Sequence, residues 1–289
     1  MTTQNHRLPT APAPGQPLVQ VYPDPQRLGQ VSQPTLAVAA DPVAFLNQLA
    51  LEADRHPPDQ VARRRRWIET LHGAETRNST WHPPPNPGDG LPFGAVVAAL
   101  GALAAEDAVI TVDAGNFTSW VHRYHRFGDG GTLLGLGCGA MGFGVPSGLA
   151  AALRYPTRTV ITFVGDGGFL MTGTELATAV SHRARLVIVV ADNGSYGTIR
   201  QHQERAYPGR VVATDLHNPD FAALARAYGG HGMTIEDESE LVPVLRAALV
   251  CDGPVVVSVR TSLSWISAYQ HLALPGQQPP GFTAQQEVR

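Results

Sequence analysis

The 289-residue chain carries 21 basic and 24 acidic side chains, a net charge of −3 with 16% of residues charged, which excludes a nucleic-acid binder working through a basic surface. Two cysteines, Cys138 and Cys251, are too few for a disulfide framework or a cysteine metal cluster and point to a reducing compartment. The longest apolar run, residues 93–105, is shorter than the ~20 residues that span a bilayer, and the amino-terminal sequence lacks the pattern of a signal peptide, so a soluble cytoplasmic protein is expected.

Residues 1–17, rich in Pro, Thr and Gln, read as a disordered leader. Residues 18–80 hold a short strand (LVQVY), a Pro-Asp-Pro turn, a helix over DPVAFLNQLALEA and a basic helix around ARRRRWIETL. One strand and two helices do not close a core, so this piece is expected to lean on something else. The run Arg63 to Arg66 reads as a solvated helix face. Residues 81–90 are proline-rich and cannot continue a helix or a central strand, so a linker is expected there.

From residue 91 to 265, helices alternate with short β-branched runs at 108–112, 160–164, 186–191 and 255–259. These runs are apolar throughout, as parallel strands covered on both faces require. Asn218 before Pro219 is expected to cap a helix bearing Phe221, Leu224 and Tyr228 on one face, and Thr172 with Glu175 to form a capping box. The expected fold class is α/β: a doubly wound parallel sheet with helices on both faces, followed by a tail over 266–289.

In such sheets ligands bind beyond the carboxyl ends of the strands. The strand ending at Val164 runs into Gly165-Asp166-Gly167-Gly168, and the strand ending at Ala191 into Asp192-Asn193-Gly194-Ser195-Tyr196-Gly197. One helix separates them, so the strands are expected to be neighbours, bringing Asp166 and Asn193 together in exposed loops. A carboxylate, an amide oxygen and a main-chain carbonyl suit a magnesium ion bridging to phosphate. A helix starting near Gly173 would offer free N–H groups to the anion. A rival reading is a nicotinamide dehydrogenase, because residues 137–142 (GCGAMG) form a literal G-x-G-x-x-G and Asp166 follows 24 residues later, although no convincing buried strand precedes the glycines. His122 and His125 share a helical face and are read as structural.

GDGGF, with Asn193 of ADNGSYG 27 residues after Asp166, resembles the thiamine diphosphate and magnesium motif of the acetolactate synthase and benzoylformate decarboxylase family. LGLGCGAMGFGVPSGLAAAL, DAGNFTSW and NPDFAALARAYG are similar to further segments of its carboxyl-terminal cofactor domain, and VYPDPQRLGQ to the end of its central domain. The resemblance implies side-chain ligation of magnesium by Asp166 and Asn193, with the main-chain carbonyl of Ser195 as a third ligand. It places Gly115, Asn116, Gly165, Gly167, Gly168, Tyr196 and Gly197 around the diphosphate. Met141 would take a catalytic role beneath the cofactor, and Thr198, Ile199 and His202 would line the substrate pocket. One departure is Asp192, where the family commonly has asparagine.

The family activates its cofactor with a glutamate from a separate pyrimidine-binding domain, and no segment resembles that domain. The resemblance therefore implies the cofactor subunit of a split 2-oxo acid decarboxylase or carboligase, in a hetero-oligomer with at least two copies of each chain. A non-catalytic thiamine diphosphate-binding or regulatory protein is the alternative.

Overall fold

The computed structural model describes residues 16–52, 58–85 and 88–272; all but the last two residues of the expected leader, and the tail beyond 272, lie outside these. The chain divides into two compact units, residues 1–77 and 78–289. In the first, β1 (Val19–Tyr22) pairs in parallel with β2 (Leu36–Ala39), a strand too short to declare itself in the sequence. Helix α1 (Pro42–Leu51) starts at Asp41, whose carboxylate accepts hydrogen bonds from the N–H groups of Val43 and Ala44 at 2.9 Å. Among residues 16–52 none is buried, and Val43, Leu46 and Leu49 are exposed, as expected of elements that enclose no core of their own. Arg63 to Arg66 are solvent-exposed on α2 (Pro58–Ser79).

The second unit is a six-stranded, wholly parallel sheet. Its strands are β3 (Val109–Val112), β4 (Thr132–Gly135), β5 (Val160–Gly165), β6 (Leu186–Asp192), β7 (His231–Ile235) and β8 (Pro254–Arg260), in the order β4-β3-β5-β6-β8-β7. The four runs expected as strands form the centre; β4 and β7, half exposed, are the edges that lacked a continuous apolar run. Alternate residues along each strand serve opposite faces. Ile110, Ile161, Phe163, Val189 and Val257 pack under α3 (Phe93–Leu103), α4 (Thr118–Tyr124) and α10 (Leu241–Val250). Val109, Val164, Ile188, Val190 and Val256 pack under α5 (Gly144–Arg154), α6 (Asp166–Thr172), α7 (Leu176–Ser181) and α9 (Phe221–Ala227). Each such fully buried side chain contributes roughly 1.5–3 kcal/mol of apolar burial. No described helix is long and apolar enough to cross a membrane.

Two expected caps are corrected. Helix α9 is capped by Asp220, which accepts from the Ala223 N–H at 2.8 Å, and not by Asn218, whose side chain points elsewhere. Thr172 does sit at the N-cap position of the 3-10 turn Gly173–Glu175, but its side chain makes no capping hydrogen bond and its hydroxyl is buried without a partner. Within the stretch expected as a linker, Trp81 packs edge-on against Trp120 and Tyr124, with ring centroids 6.0 and 5.1 Å away. Asp89 holds Ser262 and Ser264 through bonds of 2.6 to 2.9 Å. Asn86 and Pro87 lie outside the described residues.

Candidate functional site

The register of β5 and β6 sets Gly165 opposite Ala191, so the chain leaves the two strands side by side at Asp166 and Asp192. Asp166 is buried at the first position of α6, which corrects the expectation of an exposed loop; the helix expected near Gly173 is present as a 3-10 turn over Gly173–Glu175 that runs into α7. Its Oδ1 accepts from the Gly167 N–H at 2.8 Å. Its Oδ2 accepts from the N–H groups of Gly194 at 2.8 Å and Asn193 at 3.3 Å, and from Asn218 Nδ2 at 2.8 Å. Burial pushes the Asp166 carboxyl above the usual carboxylate range; the Asn218 amide and the Gly167 N–H pull it back, and the neighbouring Asp192 charge adds to the rise.

Asn193 follows at the mouth of the same loop, its Oδ1 accepting from the Ser195 N–H at 3.0 Å. The Ser195 carbonyl accepts from the Gly197 N–H at 2.7 Å, while its hydroxyl donates to the Thr214 carbonyl at 3.0 Å. The Asp166 carboxylate, the Asn193 amide oxygen and the Ser195 carbonyl are all hard oxygen donors, and Asp166 Oδ1 accepts only one hydrogen bond, leaving a lone pair for a cation.

These residues line a solvent-open cleft together with Gly115, Asn116, Met141, Gly165, Gly167, Gly168, Tyr196, Gly197, Thr198 and Ile199. Gly167 is where a larger residue cannot stand: a Cβ there would lie 2.5 Å from the Tyr196 ring and 3.4 Å from the Met141 methyl. No Lys, Arg or His is among the described residues lining the cleft, and Asp166 is its only full charge. A diphosphate held here therefore needs a cation beyond what the side chains supply, and the oxygen set fits one.

His202 is not brought in. It is exposed and meets Arg205 at 2.9 Å, because α8 (Gly197–Ala206) carries it one turn, about 6 Å, beyond Thr198 and away from the strand ends. His125 is buried with Nδ1 unpartnered, and burial lowers the pKa of both His122 and His125; no His, Cys, Asp or Glu cluster suited to a metal occurs among the described residues.

Three features escaped the sequence. Thr261, Ser262, Trp265 and Ile266, after β8, form one wall of the cleft, a position set by Asp89 from far along the chain. Asn218 reaches the metal-site carboxylate from the loop before α9. The third is Asp113, buried at the end of β3. Its oxygens accept from the N–H groups of Ala114 at 2.6 Å, Gly142 at 2.9 and 3.0 Å, and Gly144 at 2.9 Å, pinning the loop that carries Met141. Gly142 takes φ +87° in that turn, where a side chain would be strained.

The same bonds correct the dehydrogenase reading, since the glycine-loop N–H groups at 142 and 144 are turned onto a protein carboxylate. Asp113→Asn, with one acceptor oxygen for three N–H donors, should cost about 2 kcal/mol. At a shift of roughly 2–4 °C per kcal/mol for a domain of this size, the midpoint should fall about 4–8 °C. Hydrogen exchange over residues 137–143 should quicken; unchanged melting and exchange would refute this anchoring.

A parallel sheet carrying oxygen donors and a glycine-lined cleft at the carboxyl ends of its central strands defines a cofactor-binding α/β domain. The fold is shared with the thiamine diphosphate-dependent 4-hydroxybenzoylformate decarboxylase of Rhodococcus jostii RHA1, with a TM-score of 0.69 and 24% identity over 86% of this chain and 44% of that one. The acetolactate synthase large subunit of Parasynechococcus marenigrum (strain WH8102) is 31% identical over 252 residues, 86% of this chain and 40% of the relative. Acetolactate synthase isozyme 2 large subunit of Escherichia coli K12 is 31% identical over 250 residues, 86% of this chain and 43% of the relative. Residues 113–259 match the family model described as thiamine pyrophosphate enzyme, C-terminal TPP binding domain, and the chain belongs to this family. It spans about two fifths of the length of these curated relatives.

Proposed function

We propose that this chain is the cofactor-binding part of a magnesium- and thiamine diphosphate-dependent 2-oxo acid decarboxylase or carboligase. The observation carrying this reading is the oxygen donor set of Asp166, Asn193 and Ser195 in a cleft whose lining has no cationic side chain among the described residues. Asp166 and Asn193 would hold magnesium by their side chains and Ser195 by its carbonyl. Gly115, Asn116, Gly165, Gly167, Gly168, Tyr196 and Gly197 would surround the diphosphate. Met141, fixed through Gly142 and Asp113, would support the ring system, and Thr198 and Ile199 would face the substrate. Thiamine diphosphate supplies, when bound, the carbon centre that takes up the electrons freed on decarboxylation.

The cleft's only carboxylate among the described residues is Asp166, already engaged by four N–H donors; in line with the family resemblance, this reading gives the carboxylate that moves a proton at the aminopyrimidine to a pyrimidine-binding partner subunit. Calorimetric titration of thiamine diphosphate into the full chain tests the site. Weak binding is expected with magnesium and none with EDTA; equal binding in both would overturn the metal-bridged reading.

A further inference from the structure

At the paired ends of β5 and β6, Asn218 sends one amide nitrogen to two carboxylates: Nδ2 donates to Asp166 Oδ2 at 2.8 Å and to Asp192 Oδ1 at 2.7 Å. An NH2 group carries two hydrogens, one for each acceptor. The other end of the amide, Asn218 Oδ1, is buried with no hydrogen-bond partner. Asp192 is also held from its main chain, its carbonyl accepting from the Thr261 N–H at 2.8 Å. Among the described residues neither carboxylate forms an ion pair. Two like charges thus share one neutral donor beside the oxygen set, an arrangement that costs stability until a cation arrives.

We propose that Asp192 is a positioning and tuning residue of the metal site: held against Asp166 through Asn218, its charge tightens the binding of a divalent cation by the Asp166, Asn193 and Ser195 oxygens. This rests on the metal-bridged reading above. Asp192 touches neither substrate nor cofactor in this scheme; it acts through the field at Asp166 and through the shared amide.

Asp192→Asn isolates the charge, because an amide oxygen still accepts from Asn218 Nδ2 while the negative charge is gone. The test uses the full chain at pH 7.5 with thiamine diphosphate in excess. It is titrated with Mn2+ as a stand-in for magnesium, and bound metal is read by loss of the free-ion paramagnetic resonance signal. Removing a partner of a metal ligand typically costs 10–100-fold in affinity, and about a tenfold rise in the Mn2+ dissociation constant is expected for Asp192→Asn. The metal-free variant should melt higher than the metal-free wild type, because a like-charge contact is relieved. Asn218→Ala, which releases both carboxylates, should weaken Mn2+ binding in the same direction.

An unchanged Mn2+ affinity in Asp192→Asn overturns the proposal. So does weaker binding accompanied by a lower metal-free melting temperature, the signature of a merely structural side chain. Wild-type chain that binds no Mn2+ with the cofactor present overturns the metal-bridged reading itself, a result distinguishable from either outcome in the variant.

Discussion

Asp166→Ala is expected to abolish magnesium-dependent binding of thiamine diphosphate, with a loss of at least about a hundredfold in affinity. It removes the one charged member of the proposed ligand set, where losing a mere partner of a ligand costs ~10–100-fold. Because Asp166 is buried and accepts four N–H donors, the alanine variant should also lose stability. Unsatisfied buried donors cost about 1–3 kcal/mol, partly offset here by removal of the repulsion from Asp192. Asp166→Asn keeps the shape and one acceptor oxygen, so it should lose less stability than the alanine variant, about 1–2 kcal/mol, yet still lose most of the metal-dependent binding. Calorimetry with and without magnesium, alongside thermal unfolding, checks both variants. Cofactor affinity unchanged by Asp166→Ala would show that the metal and diphosphate lie elsewhere.

The isolated chain is expected to turn over no 2-oxo acid with magnesium and thiamine diphosphate, and to gain activity when the pyrimidine-domain subunit is added. A positioned acid or base contributes typically 10²–10⁴-fold, and the cleft's described lining offers no carboxylate free for that task. Activity of the chain alone should therefore be below roughly one-hundredth of that of the assembly. Beside the cleft, the glycine loop exposes Leu136 and Met141, and the Met171 Cβ lies 3.5 Å from where a side chain on Gly142 would begin. Exposed apolar surface of this kind favours association. Light scattering should find the isolated chain self-associated, and the mixture as an assembly with at least two copies of each chain. Robust pyruvate or other 2-oxo acid turnover by the homogeneous chain alone would sink the split-enzyme reading.

The α/β class, the four central strands and the two strand ends where Asp166 and Asn193 sit are legible in the amino-acid sequence. Those features are local: a continuous apolar run reports burial on both faces, and glycines flanking an acid at a strand end mark where the backbone must turn. Local pattern said less about edges and caps. The strands β2, β4 and β7 are short or half exposed, and their partners rather than their own residues make them strands.

What meets across the cleft follows from strand order and register. The register of β5 on β6 sets Asp192 beside Asp166, and nothing near either residue announces Asn218 as their common donor. Asp113 binds a glycine loop some 30 residues ahead, Asp89 fixes the Ser262 to Ile266 wall from the far end of the domain, and the direction of α8 takes His202 out of the pocket. Such contacts join loops that the sheet gathers at one edge; their partners depend on strand order and helix direction, which are settled by packing over the whole sheet and not by any window of sequence.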